Sequence, residues 1–363
     1  MKIVICGLSI TSSWGNGHAT TYRALARALH ARGHEVTFFE RDLEWYASNR
    51  DMPEPTFCRT IVYESWREIM PRLRQEFDEC DVVMVGSYCP DGLNAIEAML
   101  DSNAGVKTFY DIDTPISLAK LESNDTEYLK REQVPGFDLY FSFTGGPMLE
   151  SLERKYRARR AVPLYCSFDL HSSIKRKTAN FVCDLSYMGT YAADRQQTLN
   201  HLLCVPAERL PQRKFRVAGP QYPATLKWPR NVERIIHLEP KLHADFYSSS
   251  RVTLNITRKP MIEAGYSPSV RLFEAAGYGA AIVSDYWPGL ETFLKPGEEI
   301  LIANKAADVV AYIEQMDDNA LRRIGLNAQE RVLQEHSSST RAIEFEKYIA
   351  EAARIGRPVT VTR

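Results

Sequence analysis

A chain of 363 residues has room for about two domains of ordinary size. Its 44% hydrophobic and 25% charged residues make it globular in composition, and a formal net charge of −1 argues against a basic field for nucleic acid or an anionic membrane. The seven cysteines are odd in number and scattered, with no CxxC pair, which suits buried free thiols in a cytoplasmic protein rather than a disulfide framework.

The opening run Met1-Lys-Ile-Val-Ile-Cys6 is too short for a signal peptide or a membrane span and reads as a first strand. Tyr22, Leu25, Ala26 and Leu29 then follow i, i+3, i+4, i+7, which predicts an amphipathic helix stopped at Arg32-Gly33-His34. Further strands are predicted at 35–40, 81–86, 106–110 and 138–142, each followed by a helical pattern. That alternation gives parallel strands with crossover helices. Residues 161–171 break the rhythm and read as the passage between domains. A second series is predicted at 183–189, 214–219, 234–237, 251–257, 280–284 and 299–302, before a charged helical tail from about 304 to 354. The expected architecture is α/β, with two Rossmann-like doubly wound domains over 1–168 and 169–340. A C-terminal helix within 341–363 is free to cross back to the first. A ligand cleft is expected where the strand C-termini of the two halves face each other.

The richest stretch is Ser267-Pro-Ser-Val-Arg-Leu-Phe-Glu-Ala-Ala-Gly-Tyr-Gly-Ala-Ala-Ile-Val-Ser-Asp285. Ser267 is expected as the N-cap of a helix with Pro268 at its first position. Ser269, Val270 and Arg271 then present free backbone N–H groups to an anion. Arg258, Lys259 and Arg271 are candidate partners for a phosphate, since an Arg fork grips two oxygens at once. Glu274, three residues after Arg271, can accept from the vicinal hydroxyls of a ribose. The competing reading is an Arg–Glu pair on an ordinary helix surface.

Three other junctions carry polar chemistry. Ser12-Ser-Trp-Gly-Asn-Gly-His18 follows the first strand. Gly15 and Gly17 permit close ligand approach, and His18 is either a general base or a helix-start histidine without chemistry. The loop is not GxGxxG, and Glu40 and Asp42 only weakly resemble the acidic residue of a dinucleotide site. Asp111-Ile-Asp113-Thr-Pro115 places two carboxylates at a strand end, suited to acceptor hydroxyls, to a base, or to ordinary N-cap and turn chemistry. Gly189, followed by Arg195 on a predicted helix, suits a diphosphate or a plain helix surface. Dispersed histidines without HExxH give no expected metal site. Trp45, Tyr46, Tyr63, Trp66 and Tyr88 lie in irregular stretches and can stack on an acceptor or fill the core.

Val270-Arg-Leu-Phe-Glu-Ala-Ala-Gly-Tyr-Gly-Ala-Ala-Ile-Val-Ser-Asp285, Gly289-Leu-Glu291, Pro296-Gly-Glu-Glu-Ile300, Thr253 to Thr257, Arg32-Gly-His-Glu-Val36, Asp111 to Pro115 and Thr144-Gly-Gly146 together resemble glycosyltransferases of the two-Rossmann-domain GT-B fold. Within the family-4-like group, the pattern is most similar to the spore-maturation CgeB-like branch. The resemblance covers nearly the whole chain and is strongest over about 230–302. It implies a metal-independent, retaining transfer, of a hexose by expectation, from a UDP-, GDP- or dTDP-sugar with UDP favoured, to an acceptor it does not identify. No separate cofactor is implied, and a homodimer is compatible with the pattern. Glu274 would bind the donor ribose. Ser269 and Val270 amides would hold the diphosphate, and Arg195 with Arg258 or Lys259 would neutralise it. The stretch from His237 and Leu238 to His243 would line the base through backbone contacts, and His18 would face sugar and acceptor. One position departs from the pattern. The family's first Glu, eight residues before the helical one, is replaced by Tyr266, which leaves the fate of the anomeric configuration open. A GT-B sugar-nucleotide epimerase and a non-catalytic nucleotide-sugar binder are the competing readings.

Overall fold

The computed structural model describes residues 1–171 and 181–355. The chain divides into two compact units. One comprises Met1–Tyr165 together with the chain from Ser338 onward, and the other comprises Cys166–Ser337.

The first unit is a parallel sheet of seven strands: β1 (Lys2–Gly7), β2 (Glu35–Arg41), β3 (Arg59–Tyr63), β4 (Val82–Gly86), β5 (Val106–Asp111), β6 (Leu139–Ser142) and β7 (Ala161–Pro163). Their spatial order is β3-β2-β1-β4-β5-β6-β7. Strands covered on both faces must be apolar throughout, and β4 accordingly has all five residues of Val82–Gly86 buried. Tyr22, on the helix Gly17–Ala31, lies over β1 and β4, where the missing side chains of Gly7 and Gly86 leave room for its ring. The helix Ser338–Ile355 belongs to this unit. Its Phe345 ring sits 5.5 Å from Phe141 of β6, and its Glu346 pairs with Arg32 and His34.

The second unit is a six-stranded parallel sheet: β8 (Cys183–Met188), β9 (Phe215–Ala218), β10 (Val232–Ile235), β11 (Ser250–Asn255), β12 (Ile282–Ser284) and β13 (Leu301–Ile302). The order is β10-β9-β8-β11-β12-β13. In each unit the strand order reverses beside the first strand, between β1 and β4 or between β8 and β11. Such a reversal opens a crevice at the strand C-termini, where doubly wound folds bind ligands.

Two strands, β3 and β7, lie where no strand was predicted. Both are edge strands. β3 alternates exposed and buried residues, and β7 is three residues long and ends in Pro163. The Ala161–Pro163 part of the expected inter-domain passage is thus paired with β6.

Candidate active site

In the second unit the crevice between β8 and β11 is framed by Gly189 on one side and Asn255, Ile256 and Thr257 on the other. The helix above it spans Val270–Gly277, with Ser269 as N-cap. It starts two residues later than the expected start at Pro268 with Ser267 as cap. The reason is a turn: Tyr266 adopts a left-handed φ of 47°, and its N–H donates to the Pro288 carbonyl at 2.7 Å. The Ser269 hydroxyl does not cap the helix but donates to Asn255 Oδ1 at 2.9 Å, tying the helix start to the end of β11.

Arg271 turns beneath this helix start. Its Nε donates to the Met188 carbonyl, and Nη1 lies 3.3 Å from Asn255 Oδ1 and 3.4 Å from the Ile256 carbonyl. Its guanidinium carbon stands 4.9 Å from the Tyr187 ring centre. The side chain therefore clamps the ends of β8 and β11. Gly189 is required beside it, because a β-carbon there would meet Arg271 Nη2 at 2.6 Å.

Arg195, on the helix Ala193–Leu199, donates Nη2 to the Thr190 carbonyl at 2.6 Å. Its Nε is buried without a hydrogen-bond partner among the described residues. Burial, reinforced by the charges of Arg271 and Arg258, holds its pKa below the ordinary arginine value. Three cations thus share one region, and one carries an unsatisfied buried donor, a surplus that an anion would relieve. Arg258 Nε reaches Asp194 at 3.1 Å. Lys259 points outward, 3.7 Å from Glu263 in an exposed i,i+4 pair.

Glu274 lies on the next turn of the same helix. Its Oε1 is 3.3 Å from His243 Nδ1, while His243 Nε2 is 3.3 Å from the Leu238 carbonyl. His237 is exposed, and the Leu238 carbonyl expected at the base is in contact with the His243 imidazole. Asp285, at the end of β12, accepts from the Thr257 N–H and hydroxyl at 2.9 Å each; burial raises its pKa to about 6.

In the first unit, the loop after β1 is held from below. Buried Glu40 of β2 accepts from the Ser9 and Thr11 hydroxyls and the Ile10 and Thr11 amides. It anchors a loop instead of facing a ribose. Arg23 adds a bond to the Ile10 carbonyl and a fork to Asp51, which also holds Ser13. Gly15 takes a φ of 65°, and the helix begins at Gly17 with Asn16 as cap. His18 Nε2 stands 3.8 Å from Asp113 Oδ2, and its Nδ1 is buried without a partner among the described residues. Tyr88, with a left-handed φ of 59°, meets the imidazole edge-on at 5.4 Å. Asp111 is buried beneath, bonded by Ser117 at 2.6 Å and Tyr140 at 2.5 Å, and burial raises it to about 6. Of the two carboxylates expected at this junction, Asp111 is structural and Asp113 reaches the histidine. Among the aromatic candidates, Tyr46 and Tyr63 are core, whereas Trp45 is 52% exposed.

Sequence reasoning did not single out the His243 side chain, Asp285 as an anchor, or Tyr88 as the partner of His18. Among the described residues no group of three or more His, Cys, Asp or Glu is placed to hold a metal ion.

Residues 195–347 match the family model described as glycosyl transferase-like. Solved structures match over both units. The sucrose-phosphate synthase of Thermosynechococcus elongatus has a TM-score of 0.70 at 14% identity, with 98% of this chain and 100% of that one covered. Anabaena HepE in complex with UDP and glucose has a TM-score of 0.68 at 12% identity, covering 97% and 100%. An alpha-glucosyltransferase in complex with UDP has a TM-score of 0.66 at 14% identity, covering 96% and 100%. The fold is GT-B. No curated protein matches the sequence. The matched region takes in Arg195, Arg258, Arg271 and Glu274, while Gly189 on the other side of the crevice precedes it.

Proposed function

We propose that the protein transfers a sugar, a hexose by preference, from a UDP-sugar to an acceptor hydroxyl, without a resident metal and with retention of configuration. The observation that carries the reading is the buried, unpartnered Nε of Arg195 in a crevice shared with Arg258 and Arg271 and roofed by the start of the helix Val270–Gly277. A diphosphate supplies the missing acceptor there, and free helix amides add donors. Glu274, one turn along, takes the ribose hydroxyls. UDP is favoured because HepE and the alpha-glucosyltransferase carry it in their structures. The family match is to the broad glycosyl transferase-like model, and the CgeB-like branch is not part of this proposal.

In the reaction the bond from the anomeric carbon to the diphosphate oxygen breaks while a bond to the acceptor oxygen forms. Charge develops on the departing diphosphate, where Arg195, Arg258 and the helix amides stabilise it. In the retaining course a diphosphate oxygen takes the acceptor proton. Tyr266 stands where the family pattern has its first Glu, so no carboxylate at that position assists. Donor side is assigned to 169–340 and acceptor side to 1–168, where His18 and Asp113 are the groups for the acceptor hydroxyl. The seven free cysteines suit a reducing, cytoplasmic compartment. Among the described residues no helix is long and apolar enough to cross a membrane.

Calorimetry with UDP, GDP and dTDP tests the reading. Tight binding of UDP, weakened by about 1.5–3 kcal/mol in Glu274→Ala, is the expected result. No binding of any nucleoside diphosphate, or unchanged affinity in the variant, would overturn it. Proton spectra of the product then decide the anomer.

A further inference from the structure

We infer that His243 is a positioning residue that orients Glu274 as an imidazolium, adding a pH dependence of its own to nucleotide binding. The inference rests on the reading that Glu274 takes the donor ribose. His243 opens the helix His243–Ser248, directly after the turn Pro240–Leu242. Its two ring nitrogens each lie 3.3 Å from an oxygen, Nδ1 from Glu274 Oε1 and Nε2 from the Leu238 carbonyl. A carboxylate and a carbonyl are both pure acceptors, and neutral imidazole has only one N–H. Satisfying both contacts takes both ring protons, so the pair as built is imidazolium and carboxylate.

The surroundings make this contact consequential. Both side chains are only 15% exposed, so the contact is poorly screened by water. Among the described residues, the charged or titratable groups near the pair include Arg271, Tyr247, Tyr187, Tyr278, Asp245 and the exposed Glu239–Lys241 pair. Arg271 is committed to the strand-end carbonyls. Tyr247 is fully buried, and its hydroxyl has no hydrogen-bond partner among the described residues. Among the described residues, His243 is the side chain in hydrogen-bonding distance of Glu274 Oε1, and it sets which carboxylate oxygen faces the ligand. With Oε1 held by the imidazolium, Oε2 is left for the ribose diol. When the imidazole loses one proton, a nitrogen lone pair faces either Oε1 or the Leu238 carbonyl, and the loss of either contact loosens the ring that holds Glu274.

The test is calorimetric titration of the full chain with UDP from about pH 5 to about pH 8, the range over which histidine changes charge. UDP's own terminal phosphate titrates in the same range, so affinities are read as ratios at each pH. Glu274→Gln first checks the underlying reading. If wild type does not bind UDP, or Glu274→Gln binds it equally well, that reading fails and the inference with it. If both checks pass, His243→Gln should bind UDP about 3- to 10-fold more weakly than wild type near pH 5, converging with it near pH 8. A ratio that stays constant with pH would overturn the inference while leaving the ribose assignment intact. A second arm needs no variant. In wild type, the preference for UDP over 2′,3′-dideoxy-UDP should shrink as pH rises, and a preference that does not change with pH would also overturn it.

Discussion

Arg271 occupies the space that a side chain on Gly189 would need: a β-carbon at residue 189 would lie 2.6 Å from Arg271 Nη2 and 2.8 Å from the Tyr187 hydroxyl. The arginine cannot simply swing aside, because the carbonyls of Met188 and Ile256 and the Asn255 side chain hold it. The glycine is therefore a condition for the clamp between β8 and β11.

Gly189→Ala should consequently act on stability and binding together. Overpacking of this kind costs about 1–3 kcal/mol. A displaced Arg271 would also loosen the helix start that Ser269 and Asn255 tie to β11. A lowered Tm with weaker UDP binding is expected from thermal denaturation and titration. An unchanged Tm would mean that Arg271 is less firmly held than its contacts indicate.

Arg195 should separate catalysis from stability. Its Nε is unpartnered and buried, and neighbouring cations disfavour its charge. Arg195→Met removes that cost and keeps most of the side chain's volume, so Tm should hold or rise. Transfer should slow by about 10²–10³-fold, the usual effect of removing one donor aimed at developing charge. Steady-state kinetics beside a melting curve check both halves. A large loss of Tm would make Arg195 a structural residue.

Much of this was legible in the chain because parallel sheets write themselves as apolar runs. β1, β4, β5 and β11 were visible for that reason. β3 and β7 were not: edge strands bury less and carry weaker patterns. The site divides the same way. Gly189, Arg195, Glu274, His18 and Asp113 stand at strand ends and helix starts, where spacing alone draws the eye. The late start of the helix at Val270 was hidden because it depends on Tyr266 bonding to Pro288, from the next βα junction. The His243–Glu274 contact joins residues 31 apart, and no helical or strand period connects them.

Asp111 should leave a signature in the pH dependence of stability. Burial raises its folded pKa to about 6, well above the usual aspartate range. The folded chain thus holds a proton there that the unfolded chain has released between about pH 4 and pH 6. Its contribution is most favourable below the unfolded value and is lost as pH rises through about 6. Glu346, held down to about 2 by Arg32 and His34, titrates in the opposite sense at lower pH, so the comparison must be with a variant. Asp111→Asn can still meet Ser117 and Tyr140. Relative to wild type it should gain up to about 3 kcal/mol between pH 4 and pH 7. Denaturant melts at both pH values measure this, and parallel curves would show that Asp111 is not protonated in the fold.

Tyr266 and Gly289 should prove energetically coupled. Gly289 has a φ of 88°, and a β-carbon there would meet the Tyr266 ring at 2.5 Å. Gly289→Ala therefore carries two costs: about 1–2 kcal/mol for a left-handed residue with a side chain, and a clash with the ring. Tyr266→Ala relieves only the second. In a double-mutant cycle the pair should be less destabilising than the sum of the single variants, by about 0.5–3 kcal/mol. The same cycle read by UDP affinity would show whether this packing also sets the helix start at Val270, since the turn at Tyr266 leads directly into it. Strict additivity in stability would mean that the ring does not confine residue 289, and that the left-handed turn at Tyr266 is fixed by its bond to Pro288 alone.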